Sequence, residues 1–220
     1  MPLLFHRQLK PEGELGLWRI AEEESYFLDR LALFPKEQIS LEKMKGHRRL
    51  EWLSGRWLLH LMSGREDRGA CLKDEFGKPY LENSMYQISI SHSRELTSVM
   101  ASPRLVGVDI QKLVGKIDRI AYKFMREVEM SSLDEQFRLE HLHVYWGAKE
   151  ALYKAYGRKQ LDFRQHIFVE PFSFNLDVGK CKGFVEKDNY HLDFDLYYEQ
   201  IEDYILVYGT ESYGDVRLVK

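Results

Sequence analysis

Val106-Gly107-Val108-Asp109-Ile110-Gln111 decides the fold. Apolar Val106, Val108 and Ile110 alternate with Gly107, Asp109 and Gln111, the period of two that marks a β-strand. Side chains two apart on a strand share a side, so Asp109 and Gln111 present a carboxylate and an amide oxygen together. The neighbouring glycine lets another group approach closely. Hard oxygen donors of this kind suit Mg²⁺, which keeps waters and phosphate oxygens in its remaining positions. An aspartate at a strand end also caps turns, so the hexapeptide alone leaves both uses open.

Working outward, residues 86–92 and 97–102 read as strands, as do residues 15–20. Between them an amphipathic helix is expected over about 41–62, with Leu50, Leu53, Trp57 and Leu61 as its core stripe. Beyond the hexapeptide, helices are expected over about 117–126 and 131–156. The Phe-, Tyr-, Val- and Ile-rich remainder reads as antiparallel strands ending at 204–208. Helices and strands alternate without a strict βαβ rhythm, which points to an α+β fold. No repeat and no Pro- or Ser-rich linker interrupts the chain.

The composition excludes several classes. With 44% hydrophobic, 13% aromatic and 30% charged residues in 220, the chain is that of an ordered globular protein. Its formal net charge of -3 supplies no positive field for a nucleic-acid backbone, so any anion site is local. Glu12, Glu14 and Glu22 to Glu24 lie in the first thirty residues, and no run reaches the ~18 apolar residues of a membrane span. A cytoplasmic location without membrane attachment is therefore expected. Cys71 and Cys181 form no metal or redox pattern and read as packing residues.

Three further segments carry chemistry. On the helix over 131–156, Trp146, Glu150 and Lys154 share one face with Lys149 adjacent, a carboxylate between two ammonium groups that suits a metal-bound diphosphate. Glu and Lys four apart also form ordinary surface pairs. Ser91 and His92 arrive at a strand end where they could bond phosphate oxygens, and Gly77-Lys78-Pro79 before them would aim one ammonium group from a turn. No Gly-x-Ser-x-Gly elbow accompanies these serines. Finally, Arg49, Trp52, Arg56 and His60 fall on one helical stripe opposite the leucines, where two guanidinium forks and an aromatic plane could receive a phosphorylated nucleotide. Arg48 points away from that stripe.

In this order and spacing the segments resemble the 4'-phosphopantetheinyl transferases of the larger, monomeric Sfp type. The matching motifs are Gly-Lys-Pro, Ser-His-Ser, Gly-(Ile/Val)-Asp-Ile-Glu and Trp-x-x-Lys-Glu-x-x-x-Lys, together with an Arg-Arg…Gly-Arg helix and the Lys123-Phe-Met…Glu129…Leu133 segment. The resemblance covers about residues 47–157. It implies a pseudo-twofold fold of two similar halves, 1–111 and 112–220, with coenzyme A and Mg²⁺ in the cleft between them. It makes Asp109, Gln111 and Glu150 the metal ligands, with Gln111 standing where the family has Glu. It assigns Lys149 and Lys154 to the diphosphate, and Ser91, His92, Lys78, Arg49 and Arg56 to the phosphates and adenine end of coenzyme A.

The implied reaction moves phosphopantetheine onto a serine of an acyl, peptidyl or aryl carrier protein. Asp109, Glu150 and Lys154 form its catalytic centre, with Glu150 the candidate base. The carrier is expected to dock through an acidic helix near Lys116, Arg119, Lys123 and Arg126. Two rival readings remain, a non-catalytic coenzyme A- or nucleotide-binding regulator and a metal-dependent phosphohydrolase.

Overall fold

The computed structural model describes residues 2–10 and 12–212. The chain divides into two compact units, Met1–Arg104 and Leu105–Lys220. Among the described residues, no helix is long and apolar enough to cross a membrane.

The first unit has strands β1 (Leu3–Gln8), β2 (Glu14–Arg19), β3 (Cys71–Lys73), β4 (Pro79–Leu81), β5 (Gln87–Ser93) and β6 (Leu96–Ser102). They form one antiparallel sheet in the order β1-β2-β6-β5-β4-β3. Helices α1 (Glu24–Leu28), α2 (Pro35–Glu42) and α3 (His47–Ser63) accompany it, and α3 packs on β2, β5 and β6. Where α3 crosses β2, a Cβ on Gly16 would meet Met62 Sδ at 2.6 Å and Leu58 Cδ1 at 3.0 Å. The core comprises Trp18, Phe27, Leu53, Leu58, Met62, Ile88 and Val99 among others.

The single helix expected over 41–62 is two helices. Gly46, at φ +58°, stands in the left-handed region between them and gives α3 a new start. The buried face of α3 also differs from expectation. Trp52, Leu53, Arg56, Leu58, Leu59 and Met62 are buried, Leu50 and Trp57 only partly so, and Leu61 is exposed. Helical spacing defines which residues share a face, and the surrounding α1, α2 and β3 decide which faces are covered.

The second unit contains β7 (Val106–Lys112), β8 (Ile167–Val169), β9 (Val178–Lys187), β10 (Tyr190–Ile201) and β11 (Tyr204–Glu211), antiparallel in the order β7-β11-β10-β9-β8. Two tight hairpins link β9 to β10 and β10 to β11, with Asp188 and Glu202 at the positive φ that two-residue hairpin turns require. Residues 106–111, which the sequence reading placed at the end of the first half, pair with β11 in this unit, and the compact units divide after Arg104.

A 3-10 turn (Gly115–Ile120) and the one-turn helix α4 (Ala121–Phe124) stand where one longer helix was expected over about 117–126, and a further one-turn helix, α5 (Glu127–Met130), follows. The long helix α6 (Arg138–Tyr156) lies on β7 and β11 and ends at Gly157, in the left-handed region. Both units are thus an antiparallel sheet carrying a long helix, the α+β class expected from the sequence.

Candidate active site

The closest contact of α6 with β7 sets the site. A Cβ on Gly107 would lie 1.9 Å from Ala151 O, inside the helix backbone, so only glycine lets β7 run this near α6. Gly147 plays the reciprocal part, its missing Cβ being 2.9 Å from Gln111 Nε2. Strand alternation then turns Asp109 and Gln111 to the same side as Gly107, toward the helix that carries Glu150 and Lys154.

Asp109 is 6% exposed. Lys154 Nζ donates to Asp109 Oδ1 at 2.7 Å and to Val108 O at 3.0 Å. Glu150 lies one turn before Lys154. Burial, and after it the charge of Asp109, push the Glu150 carboxyl up to about 7, against the opposing pull of Lys154. That repulsion identifies Asp109 and Glu150 as electrostatic neighbours, as a shared cation site requires.

Gln111 donates from Nε2 to His143 O at 2.8 Å, which leaves its Oε1 as the atom able to ligate a metal. His143 is itself fixed, its Nδ1 2.8 Å from Leu139 O and its Nε2 accepting the Val114 N–H at 3.1 Å. Burial lowers its pKa and favours this neutral form. Two carboxylates and an amide oxygen make an all-oxygen donor set, the chemistry Mg²⁺ selects. Among the described residues no three His, Cys, Asp or Glu side chains gather into a metal group. The amide of Gln111 accords with that, since the site offers two carboxylates and not three.

Lys149 departs from expectation. It is fully buried, and its Nζ bonds Glu129 Oε1 at 2.9 Å, Ile167 O at 2.8 Å and Phe163 O at 3.1 Å. An ammonium group has three N–H bonds, and these acceptors use all three, so none is left for a phosphate. Burial, opposed by Glu129, lowers its pKa to about 8. Glu129 in turn accepts the Arg126 N–H at 2.6 Å and the Val169 N–H at 2.9 Å, joining α5, α6 and β8. Trp146, on the Glu150 face, packs edge-on against Phe124 and Phe163.

In the first unit, Ser91 is buried on β5 and His92 Nδ1 lies 3.2 Å from Glu51 Oε2. Lys78 sits in a turn whose Asp74 Oδ1 accepts the N–H groups of Phe76 at 2.9 Å and Lys78 at 2.8 Å. Its ammonium is partly buried, which lowers its pKa, with Asp74 opposing. The two arginines of the expected stripe have other employment. Arg49 grips both carboxylate oxygens of Glu24 and donates to Leu41 O at 2.8 Å, tying α3 to α1 and α2. Arg56 is buried over the Trp52 ring, donates to Cys71 O at 2.8 Å, and lies 3.4 Å from Glu37.

Arg48 instead lines an open cavity of about 490 Å³ with Lys36, Lys43, Lys73, Trp52 and Tyr80, and Arg56 forms part of its wall. Burial lowers the Lys73 pKa, and Arg56 and Arg48 lower it further, the mark of crowded like charges. Sequence reasoning missed the three lysines and set Arg48 aside. The signal was Gly46, which breaks the helix and changes the direction of everything after it.

Residues 105–208 match the model of the 4'-phosphopantetheinyl transferase superfamily. Over 143 residues the chain is 26% identical to the 4'-phosphopantetheinyl transferase gsp of Aneurinibacillus migulanus. That alignment takes in 63% of this chain and 56% of the relative, so it spans little more than half of that protein's length. Residues 105–208, the segment similar to the 4'-phosphopantetheinyl transferase superfamily, hold Asp109, Gln111, Glu150 and Lys154.

Proposed function

We propose that the protein transfers the 4'-phosphopantetheine group of coenzyme A to a serine of an apo carrier protein, acting in the cytoplasm as a monomer with Mg²⁺. The observation that carries this reading is the carboxyl pair of buried Asp109 and half-buried Glu150 with Lys154 beside it, inside the segment that matches the superfamily. Asp109, Glu150 and the Gln111 amide oxygen would hold Mg²⁺, which when bound offsets negative charge on a diphosphate.

The serine Oγ attacks the β-phosphorus of coenzyme A, the bond from that phosphorus to the bridging oxygen breaks, and adenosine 3',5'-bisphosphate leaves. Glu150 is the proposed acceptor of the serine proton, directly or through a water; without a metal, burial and Asp109 hold its carboxyl up at about 7. Lys154, anchored by Asp109 and Val108 O, places a positive charge where phosphate oxygens gain negative charge. In the first unit, Lys36, Lys43, Arg48 and Lys73 supply charge for a phosphorylated nucleoside, and exposed Tyr80 a flat surface for its base. Ser91, His92 and Lys78 keep their proposed phosphate role. Lys149, Arg49 and Arg56 act through the fold.

For the carrier, Lys116, Arg119 and Lys123 are exposed beside the exposed apolar residues Val114, Tyr122 and Val128. Such a basic and apolar face fits an acidic amphipathic helix. Arg126 is spent on Arg164 O and Gln165 O, at 2.8 and 2.7 Å. Reversing charge at Lys116 and Lys123 is expected to raise KM for the carrier and leave coenzyme A binding unchanged; an unaltered KM removes this surface.

The deciding experiment mixes the protein with coenzyme A, Mg²⁺ and a panel of apo carriers and follows carrier mass. A gain of one phosphopantetheine, abolished by EDTA, supports the transferase. Binding of coenzyme A without transfer would support instead the regulator reading, which the committed amide of Gln111 favours.

A further inference from the structure

The first unit contains a second cavity, of about 180 Å³, whose wall includes Arg56, Arg65, Arg68 and His60. Leu59, Met62 and Leu81 supply apolar surface. Arg56 is only 6% exposed. Its Nε, the Nε of Arg68 and the Nδ1 of His60 are buried without a hydrogen-bond partner among the described residues. Buried polar atoms are rarely left so; Arg56 Nε has only the 3.4 Å ion pair with Glu37, and the Arg68 and His60 nitrogens point to a missing partner.

The charges agree. One buried carboxylate, Glu37, serves both Arg56 at 3.4 Å and Arg68 at 3.0 Å. The two acids of the wall are drawn to partners of their own, Glu14 to His6 at 2.7 Å and Glu82 to Lys36 at 4.0 Å. Arg65 is exposed. The wall itself carries three guanidinium groups against two carboxylates, and apolar side chains line much of the rest.

We propose that this cavity binds a small organic carboxylate with an apolar body about the size of one ring. An apolar cavity of roughly 150 Å³ takes up benzene, so this volume is sufficient for the body. A carboxylate would pair with the guanidinium groups as neither an alcohol nor an amine can. Inorganic phosphate would meet the charge and leave the apolar wall unused. The site is distinct from the basic cavity assigned to the nucleoside, although Arg56 and Cys71 border both, and the inference stands without the transferase reading.

Isothermal titration of the full chain with benzoate, benzyl alcohol and inorganic phosphate tests it. Benzoate should bind saturably at one site per chain, at least tenfold more tightly than either comparator. Arg65→Glu, on an exposed side chain, should fold with unchanged Tm and weaken benzoate at least tenfold. Absence of saturable benzoate binding, tighter binding of phosphate or the alcohol, or equal benzoate affinity in folded Arg65→Glu would each overturn the proposal.

Discussion

Glu150→Gln offers the sharpest test of the site, because it predicts a stability change as well as lost turnover. Burial and Asp109 raise the folded-state pKa of Glu150 from 4.5 to about 7. For a carboxyl raised in this way, the stabilisation is fully present below the unfolded value of 4.5 and is lost as pH rises through 7. The 2.5-unit difference, at 1.36 kcal/mol per unit, is about 3.4 kcal/mol over the whole window, of which about 2.5 kcal/mol falls between pH 5 and pH 8. Glutamine is neutral at both pH values and abolishes this slope.

Urea unfolding in EDTA should therefore find the variant gaining on the wild type by about 2.5 kcal/mol as pH goes from 5 to 8. The buried histidines, His141 among them with a pKa lowered to about 4 by burial, titrate in both proteins and cancel in the difference. At pH 8, Mg²⁺ at a hundred times its Kd should return about 2.7 kcal/mol to the wild type and much less to the variant. Parallel pH profiles for the two proteins would show that Glu150 is not held beside Asp109 in a buried site, and the catalytic assignment would fall with it.

Other outcomes follow from single contacts. Lys149→Met leaves Glu129 buried and unpaired, so stability should fall by about 3–5 kcal/mol, with recovery in the Lys149→Met, Glu129→Gln double variant; a raised KM for coenzyme A at unchanged Tm would restore its phosphate role. Gly107→Ala drives a methyl group into Ala151 O, and should cost about 1–3 kcal/mol in urea unfolding and most of the transfer activity. Arg48→Ala should raise KM for coenzyme A with little change in Tm, while Arg49→Ala should lower Tm and spare KM; the reverse pattern would return the stripe to its sequence-based reading.

What was legible in the sequence is local periodicity and chemistry tied to it. The alternation over 106–111 defined β7 and put Asp109 and Gln111 on one side, and helical spacing put Glu150 and Lys154 on one face. The α+β class followed from the order of such segments. Spacing could not say which faces turn inward. Lys149 follows Trp146 and precedes Glu150 as plausibly on a solvated helix as on a buried one, and only its enclosure by Glu129, Phe163 and Ile167 fixes its role.

The same holds for the arginines. Arg48 and Arg49 are equivalent in sequence, yet one lines the basic cavity and the other is bound by Glu24, twenty-five residues away. Sequence alone determined the strand, the helix faces and the residue types able to handle a diphosphate. The tertiary structure decided which charges remain available and which are used to hold the fold. The reason is that a side chain's ionisation and hydrogen-bonding capacity depend on neighbours that long-range packing brings to it.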